Sequence, residues 1–209
     1  MTIPHSLPSI DEKDIEAVVS VLRSKNLQDG ALVGELEQMM TEWLKVPYAI
    51  STANGFGAIH LALLALDIQK GDEVIIPSYT CSALLHPISL VGAKPIITDI
   101  GKNSFNATLQ SIKEKSSNRT RAIILPHTFG FPVNDIQAVK ELGIPLREVC
   151  AQAIGGSLKG QKLGSIGDIS IFSFYASKVV CGGDGGMLMT KDPELAKSAR
   201  DYRSYNGIK

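Results

Sequence analysis

A lysine, a serine five residues before it and four glycines soon after it share the stretch FSFYASKVVCGGDGG, residues 172 to 186. A lysine at the end of an apolar, strand-like segment costs folding energy unless its charge is paired or it is held neutral for chemistry. If it is desolvated, its pKa falls and Lys178 becomes a nucleophile able to form a Schiff base with an aldehyde. The plainer alternative is a head group that reaches water past the strand end. Ser173 and the glycines around Asp184 carry the same ambiguity, since glycines also serve tight turns.

Three other places combine a strand end, a turn and an unusual residue. In TANGFGAIHLALLAL, residues 52 to 66, Asn54, Gly55 and Gly57 precede a strongly apolar helix. Free backbone amides at such a helix start, with glycines permitting close approach, form an anion or phosphate site. A tight strand-to-helix turn accounts for the same glycines. In PSYTCSALLH, residues 77 to 86, Ser78, Tyr79, Thr80 and Cys81 follow a strand, and a helix cap by Ser78 or Thr80 accounts for them equally well. In LREVCAQAIGG, residues 146 to 156, Glu148 and Gln152 lie at the end of an apolar strand, where Gln152 can simply satisfy backbone groups. Taken together, the four places describe a phosphorylated aldehyde, its phosphate against Gly55, Gly57 and Ser173 and its carbonyl carbon at Lys178. Pyridoxal 5'-phosphate is such a molecule.

These residues need a scaffold that brings strand ends together. Apolar spacing at Ile15, Val18, Val19 and Leu22 predicts a surface helix, and Leu32, Leu36, Met39, Met40 and Trp43 predict a second. After Pro47 the pattern changes to short apolar runs: YAIST, EVIIPS, KPIITDI, RAIILPH, IPLREVC, DISIFSF and GGMLMT. Helices are expected to start near Gly57, Cys81, Thr108, Asn134 and Asp192. Strands alternating with helices imply an α/β fold, a three-layer αβα sandwich around a mostly parallel, seven-stranded sheet, with ligands at the carboxyl ends of the strands. The expected division is an N-terminal helical segment, residues 1–45, and a cofactor-binding large domain, residues 46–209.

Composition narrows the partners. The 209 residues include 21 basic and 21 acidic side chains, so no net field attracts nucleic acid or a membrane surface, and the expected partner is a small molecule. The three cysteines, Cys81, Cys150 and Cys181, form no C-x-x-C pair and fit neither a zinc site nor a disulfide framework. No apolar run approaches the roughly 18 residues that span a bilayer, and the start lacks a basic-then-apolar leader, so a cytoplasmic location is expected.

With these motifs in place, the sequence resembles the DegT/DnrJ/EryC1/StrS family of nucleotide-sugar aminotransferases, which have the aspartate aminotransferase-like, fold-type I architecture. The resemblance runs from LPSIDEKDIEAVVSVLRS through NGFGAIHLALLALDIQKGDEVIIPSYTCSALLHPISLVGAKPIITDI and TRAIILPHTFGFPVNDIQAVKELGIP to GSIGDISIFSFYASKVVCGGDGGMLMT. It implies that Lys178 is the Schiff-base lysine and the acid–base catalyst, that Ser173 and the turn at Gly55, Phe56 and Gly57 hold the cofactor phosphate, and that Gln152 lies beside the pyridine ring. Cys81 stands where many relatives place an aromatic ring over the cofactor. The implied reaction moves an amino group, usually from glutamate, to a keto-deoxysugar nucleotide for polysaccharide or antibiotic sugar biosynthesis, in a homodimer.

Some positions depart from the family pattern. The usual E-D-A/C-A-Q reads EVCAQ here, so Val149 replaces the aspartate that pairs with the pyridine nitrogen. Phe56 replaces a common threonine, and Ile154 a common histidine. Relatives continue beyond DYRSYNGIK into a small C-terminal domain, which is expected to be absent. These departures favour an alternative, a degenerate member that binds a ligand or partner without transamination. A third reading, a sugar dehydratase, is opposed by Lys178, because dehydratases of one class in the family carry histidine there.

Overall fold

The computed structural model describes residues 3–4, 6–27 and 30–204; the end of the tail DYRSYNGIK, residues 205–209, lies outside the described residues. Two helices open the chain, α1 (Glu12–Ser24) and α2 (Ala31–Leu44). Asp11 starts α1 with a reciprocal cap, accepting from Lys13 and Asp14 amides while Asp14 accepts the Asp11 N–H. The apolar stripe of α1, Ile15, Val18 and Leu22, stays exposed, whereas α2 places Met40 and Leu44 in the core.

Next come β1 (Tyr48–Thr52), α3 (Gly55–Ala65), β2 (Glu73–Pro77), a short 3-10 turn and α4 (Leu85–Leu90), β3 (Lys94–Thr98), α5 (Leu109–Lys115) and β4 (Thr120–Pro126). The chain continues through α6 (Ile136–Lys140), β5 (Leu146–Val149), a small ladder of β6 (Ser157–Leu158) with β7 (Gln161–Lys162), β8 (Ile169–Ser173), β9 (Gly186–Thr190) and α7 (Pro193–Arg203). The seven expected strands form one sheet in the order β1-β9-β8-β5-β4-β2-β3. Pairing is parallel from β8 to β3, and β9 runs antiparallel to both its neighbours. The reason lies in the connection: β8 and β9 are joined by a loop without a helix, and a parallel return needs a longer crossover.

Alternation along the strands divides the core in two. Ile75, Ile123 and Leu125 pack with α2, α5 and α6 on one face; Val74, Ile76, Ala122 and Ile124 pack with α3, α4 and α7 on the other. Burial of both faces explains why β2 reads as an unbroken apolar run after Glu73. Helix α3 is apolar nearly all round because it is covered as well, with Ala58, Ile59, Leu61, Ala62 and Leu63 buried.

One residue opposes this order. Arg147, in β5 between Leu146 and Glu148, has no exposed surface; its Nη1 reaches the Pro145 carbonyl at 3.4 Å, and Nε and Nη2 have no partner among the described residues. Burial pushes its guanidinium down to about 9, against the opposing pull of Asp168. A base with a depressed folded-state pKa binds fewer protons folded than unfolded, so this cost is in force below about pH 9 and is relieved as pH rises above it toward the ordinary guanidinium value. Arg147→Met, which keeps most of the buried volume, is therefore expected to stabilise the fold by ~1–4 kcal/mol. Thermal melts at pH 7 should show a midpoint raised by several degrees, at ~2–4 °C per kcal/mol for a chain of this size. A lowered midpoint would show that the guanidinium is better satisfied than its geometry indicates.

Candidate active site

The carboxyl ends of β1, β2, β4, β5 and β8 point to one edge of the sheet, and there they border a cavity of about 660 Å³. Gly55 and Phe56 come from the start of α3, Cys81 from the segment after β2, Gln152 from the segment after β5, Ser173 from the end of β8 and Lys178 from the loop beyond it. Six of the seven residues expected at the site thus meet in one space. Gly57 does not line it: Asn54 Oδ1 accepts the Gly57 N–H at 2.8 Å, as the helix cap requires, so this amide is not free for an anion.

The start of α3 is built by close packing. A Cβ on Gly55 would come within 2.9 Å of Ser173 Cβ and 3.2 Å of its Oγ, so the turn and the hydroxyl lie side by side only because residue 55 is glycine. A Cβ on Gly186, the first residue of β9, would fall 2.3 Å from the Asn54 carbonyl carbon. With Gly57 capped, the Gly55 and Phe56 amides are the helix-start donors that no intrahelical carbonyl can accept. They lie at the positive end of an 11-residue helix, beside Ser173. This is a cradle for an anion.

Lys178 sits in the loop between β8 and β9, not at a strand end. The loop is pinned where Phe174 N–H donates to Gly185 O at 2.9 Å and Gly182 N–H to Phe174 O at 2.8 Å, and Lys178 N–H closes a turn on Tyr175 O at 2.8 Å. Lys178 is half-buried against the cavity while its neighbour Val179 is exposed. Asp184, on the same loop, also borders the cavity and accepts the Gly185 N–H at 2.9 Å.

Gln152 is oriented by a segment whose role the sequence did not signal. After β4 the chain passes through His127, Thr128 and Phe129, all of which border the cavity, and Phe129 N–H donates to Gln152 Oε1 at 2.9 Å. Phe129 holds φ at 55°, a left-handed conformation uncommon for a bulky residue. Its ring belongs to an exposed group with Tyr79, Phe105 and Phe131, centroids 5.2 to 6.1 Å apart, at the cavity rim. Cys81 precedes a 3-10 turn, and neither Ser78 nor Thr80 caps it; Ser78 Oγ instead donates to Asp99 Oδ1 at 3.3 Å.

Below the cavity, β5 separates two neighbours with opposite duties. Val149 faces the cavity at 5% exposure, packed with the α3 side of the core. Glu148 faces the other way and accepts from His127 Nε2 at 3.1 Å and from the Gly164, Ile166 and Gly167 amides. Burial alone would raise its pKa, but these hydrogen bonds outweigh burial and hold the carboxyl below its usual value. His127 Nδ1 accepts the Val133 N–H at 3.1 Å, which leaves the ring proton on Nε2, directed at Glu148. His127, Glu148 and Cys150 cluster closely enough to suggest a metal site. Both ring nitrogens and both carboxylate oxygens are already committed, and burial pushes the Cys150 thiol up, so the trio is a structural network.

An anion cradle, an amine, an amide and an apolar floor suit pyridoxal phosphate, save that among the described residues the floor offers no carboxylate to the ring nitrogen. Known proteins with similar sequences and folds agree with that chemistry. The model of the DegT/DnrJ/EryC1/StrS aminotransferase family matches residues 8–209. GDP-perosamine synthase of Escherichia coli O157:H7 is 38% identical over 197 residues, 92% of this chain and 54% of that protein. The aminotransferase TlmJ from Streptoalloteichus hindustanus is 33% identical and superposes with a TM-score of 0.91 over 97% of this chain and 56% of its own. NtdA from Bacillus subtilis, solved with bound cofactor PMP, is 27% identical with a TM-score of 0.85, covering 96% of this chain and 48% of that one. The chain therefore spans about half the length of the relatives it matches. Among the described residues, no helix is long and apolar enough to cross a membrane.

Proposed function

Because the chain belongs to the DegT/DnrJ/EryC1/StrS aminotransferase family, we propose that it is the cofactor-binding part of a pyridoxal phosphate-dependent aminotransferase. Its substrate is a nucleotide-linked keto-deoxysugar and its amino donor glutamate, and residues 46–209 form the cofactor-binding domain. The supporting observation is the meeting of Lys178, Ser173, the Gly55–Phe56 turn and Gln152, from three separated segments, around one cavity. GDP-perosamine synthase, among the relatives, lends its name to the substrate class.

When bound, pyridoxal phosphate supplies an aldehyde to capture an amine and a ring to draw electrons from the carbon beside it. The chain's own groups do the rest. The Gly55 and Phe56 amides and the Ser173 hydroxyl hold the phosphate. Lys178 would hold the aldehyde carbon through its Nζ and would move the proton between the substrate carbon and C4' of the cofactor. Gln152, oriented by the Phe129 amide, would lie beside the ring, Cys81 lines the same cavity, and Val149 and Ile171 would keep water from the floor. A homodimer is proposed on family grounds.

Titration with pyridoxal phosphate tests this reading: a visible absorption band distinct from free cofactor is expected, and L-glutamate should bleach it. A spectrum identical to free cofactor rules the reading out. Val149 favours a second reading, a member that binds the cofactor without turning over; a band that glutamate leaves intact would select it. Gly55→Ala should weaken cofactor binding ~10- to 100-fold, because the turn must move from Ser173 and one hydrogen bond to a charged group is worth ~1.5–3 kcal/mol. Equilibrium dialysis would measure it, and unchanged affinity would remove the turn from the site.

A further inference from the structure

If the chain binds pyridoxal phosphate as proposed, the floor of its cavity bears on the state of the cofactor itself. In pyridoxal phosphate the phosphate arm is next to the aldehyde, and the ring nitrogen is opposite the aldehyde. With the arm at the α3 turn and the aldehyde at Lys178, the nitrogen is the end that meets the floor, where β5 and β8 present Val149 and Ile171. Both are almost completely buried.

A pyridinium is stabilised by a negative charge beside its N–H, and among the described residues no carboxylate stands there. Among the described residues, the titratable groups that border the cavity are Tyr79, Cys81, His127, Tyr175, Lys178 and Asp184. Asp184, the one acid among them, lies in the glycine loop whose Gly185 pairs with Asn54, which places it at the phosphate end. His127 has both nitrogens engaged on the far face, with the Val133 amide and with Glu148. Glu148 is on the opposite side of β5 with four donors around it. On the same side of the strand as Val149, two residues earlier, stands the buried Arg147, a positive charge that disfavours a second one nearby.

We infer that Val149 sets this site to hold the pyridine nitrogen of its cofactor unprotonated. A carboxylate at position 149 would raise the nitrogen's pKa by ~1–3 units, a tenfold to thousandfold change in the protonated population. The electron pair left when a proton leaves the substrate carbon is then drawn less strongly into the ring, so the residue at 149 governs which substrates this chain can activate.

Nitrogen-15 NMR of the full chain loaded with ring-labelled pyridoxal phosphate tests this directly. The wild-type resonance is expected in the range of a free pyridine and to stay there from pH 6 to 9, while Val149→Asp moves it upfield to that of a pyridinium. A pyridinium resonance in the wild type at neutral pH overturns the inference, as does a Val149→Asp holoprotein that remains unprotonated. If the aspartate variant does not fold, the wild-type spectrum alone decides. Failure of the wild type to take up any label would overturn the proposed cofactor, and this inference with it, and is recognised by the missing absorption band.

Discussion

Lys178→Ala should remove turnover, lowering it by ~10³- to 10⁴-fold or more, because one amine both holds the aldehyde carbon and moves the proton. The variant should also lose the visible band that pyridoxal phosphate acquires on binding, while phosphate affinity stays close to wild type, since Ser173 and the α3 turn are untouched. Stability should hardly change. The Lys178 side chain is half-buried in a loop and makes no ion pair or hydrogen bond among the described residues, so its truncation belongs with surface substitutions worth within ~0.5 kcal/mol. Lys178→Arg separates charge from chemistry: it keeps the cation but has no amine to condense, and should be as inactive as alanine. A variant that keeps the band would place the covalent link elsewhere; one that keeps the band and loses turnover would confine Lys178 to proton transfer.

Glu148→Ala should cost the protein its fold. The carboxylate is fully buried and takes four hydrogen bonds, three of them from the Gly164, Ile166 and Gly167 amides in the loop that leads into β8. Truncation strands four donors, each at ~1–3 kcal/mol, a total comparable to the ~5–15 kcal/mol by which a domain is stable. Glu148→Gln should be milder but still destabilising, because its NH₂ must face an amide or the His127 Nε2–H. The same network sets the acid limit. A carboxyl whose folded-state pKa lies below its unfolded value of 4.5 contributes stability in full above that pH and loses it as pH falls through the folded value. Circular dichroism of the wild type should therefore hold steady through pH 4.5 and collapse below it. If Glu148→Ala melts within ~2 °C of wild type, the loop before β8 must be held by something other than this carboxylate.

The strands were legible because each is a short apolar run cut off by glycine, proline or a helical spacing, and burial of both faces leaves no other use for EVIIP or RAIILP. The anion turn was legible too, since NGFG before an apolar helix must turn tightly and leave amides at the helix start. Local sequence could not show that His127, Thr128 and Phe129 reach the same cavity: their position depends on β4 lying beside β5, a pairing between residues more than twenty apart. The same holds for the 3-10 turn after Cys81, and for β9, whose reversed direction comes from the helix-free loop that carries Lys178.

By itself, the amino-acid sequence determined the αβα layering and the residue types of the site, because period-two and helical spacings state which side chains must be hidden and glycines state where the backbone must pass closely. Only the tertiary structure decided that Gly57 is consumed by its own helix cap, that Glu148 is tied down by His127 and three loop amides, and that among the described residues no carboxylate stands in for Val149 beneath the cavity. The physical reason is that hydrogen-bond donors and charges are satisfied by whatever lies near in space, and proximity between distant segments is settled by sheet order and packing.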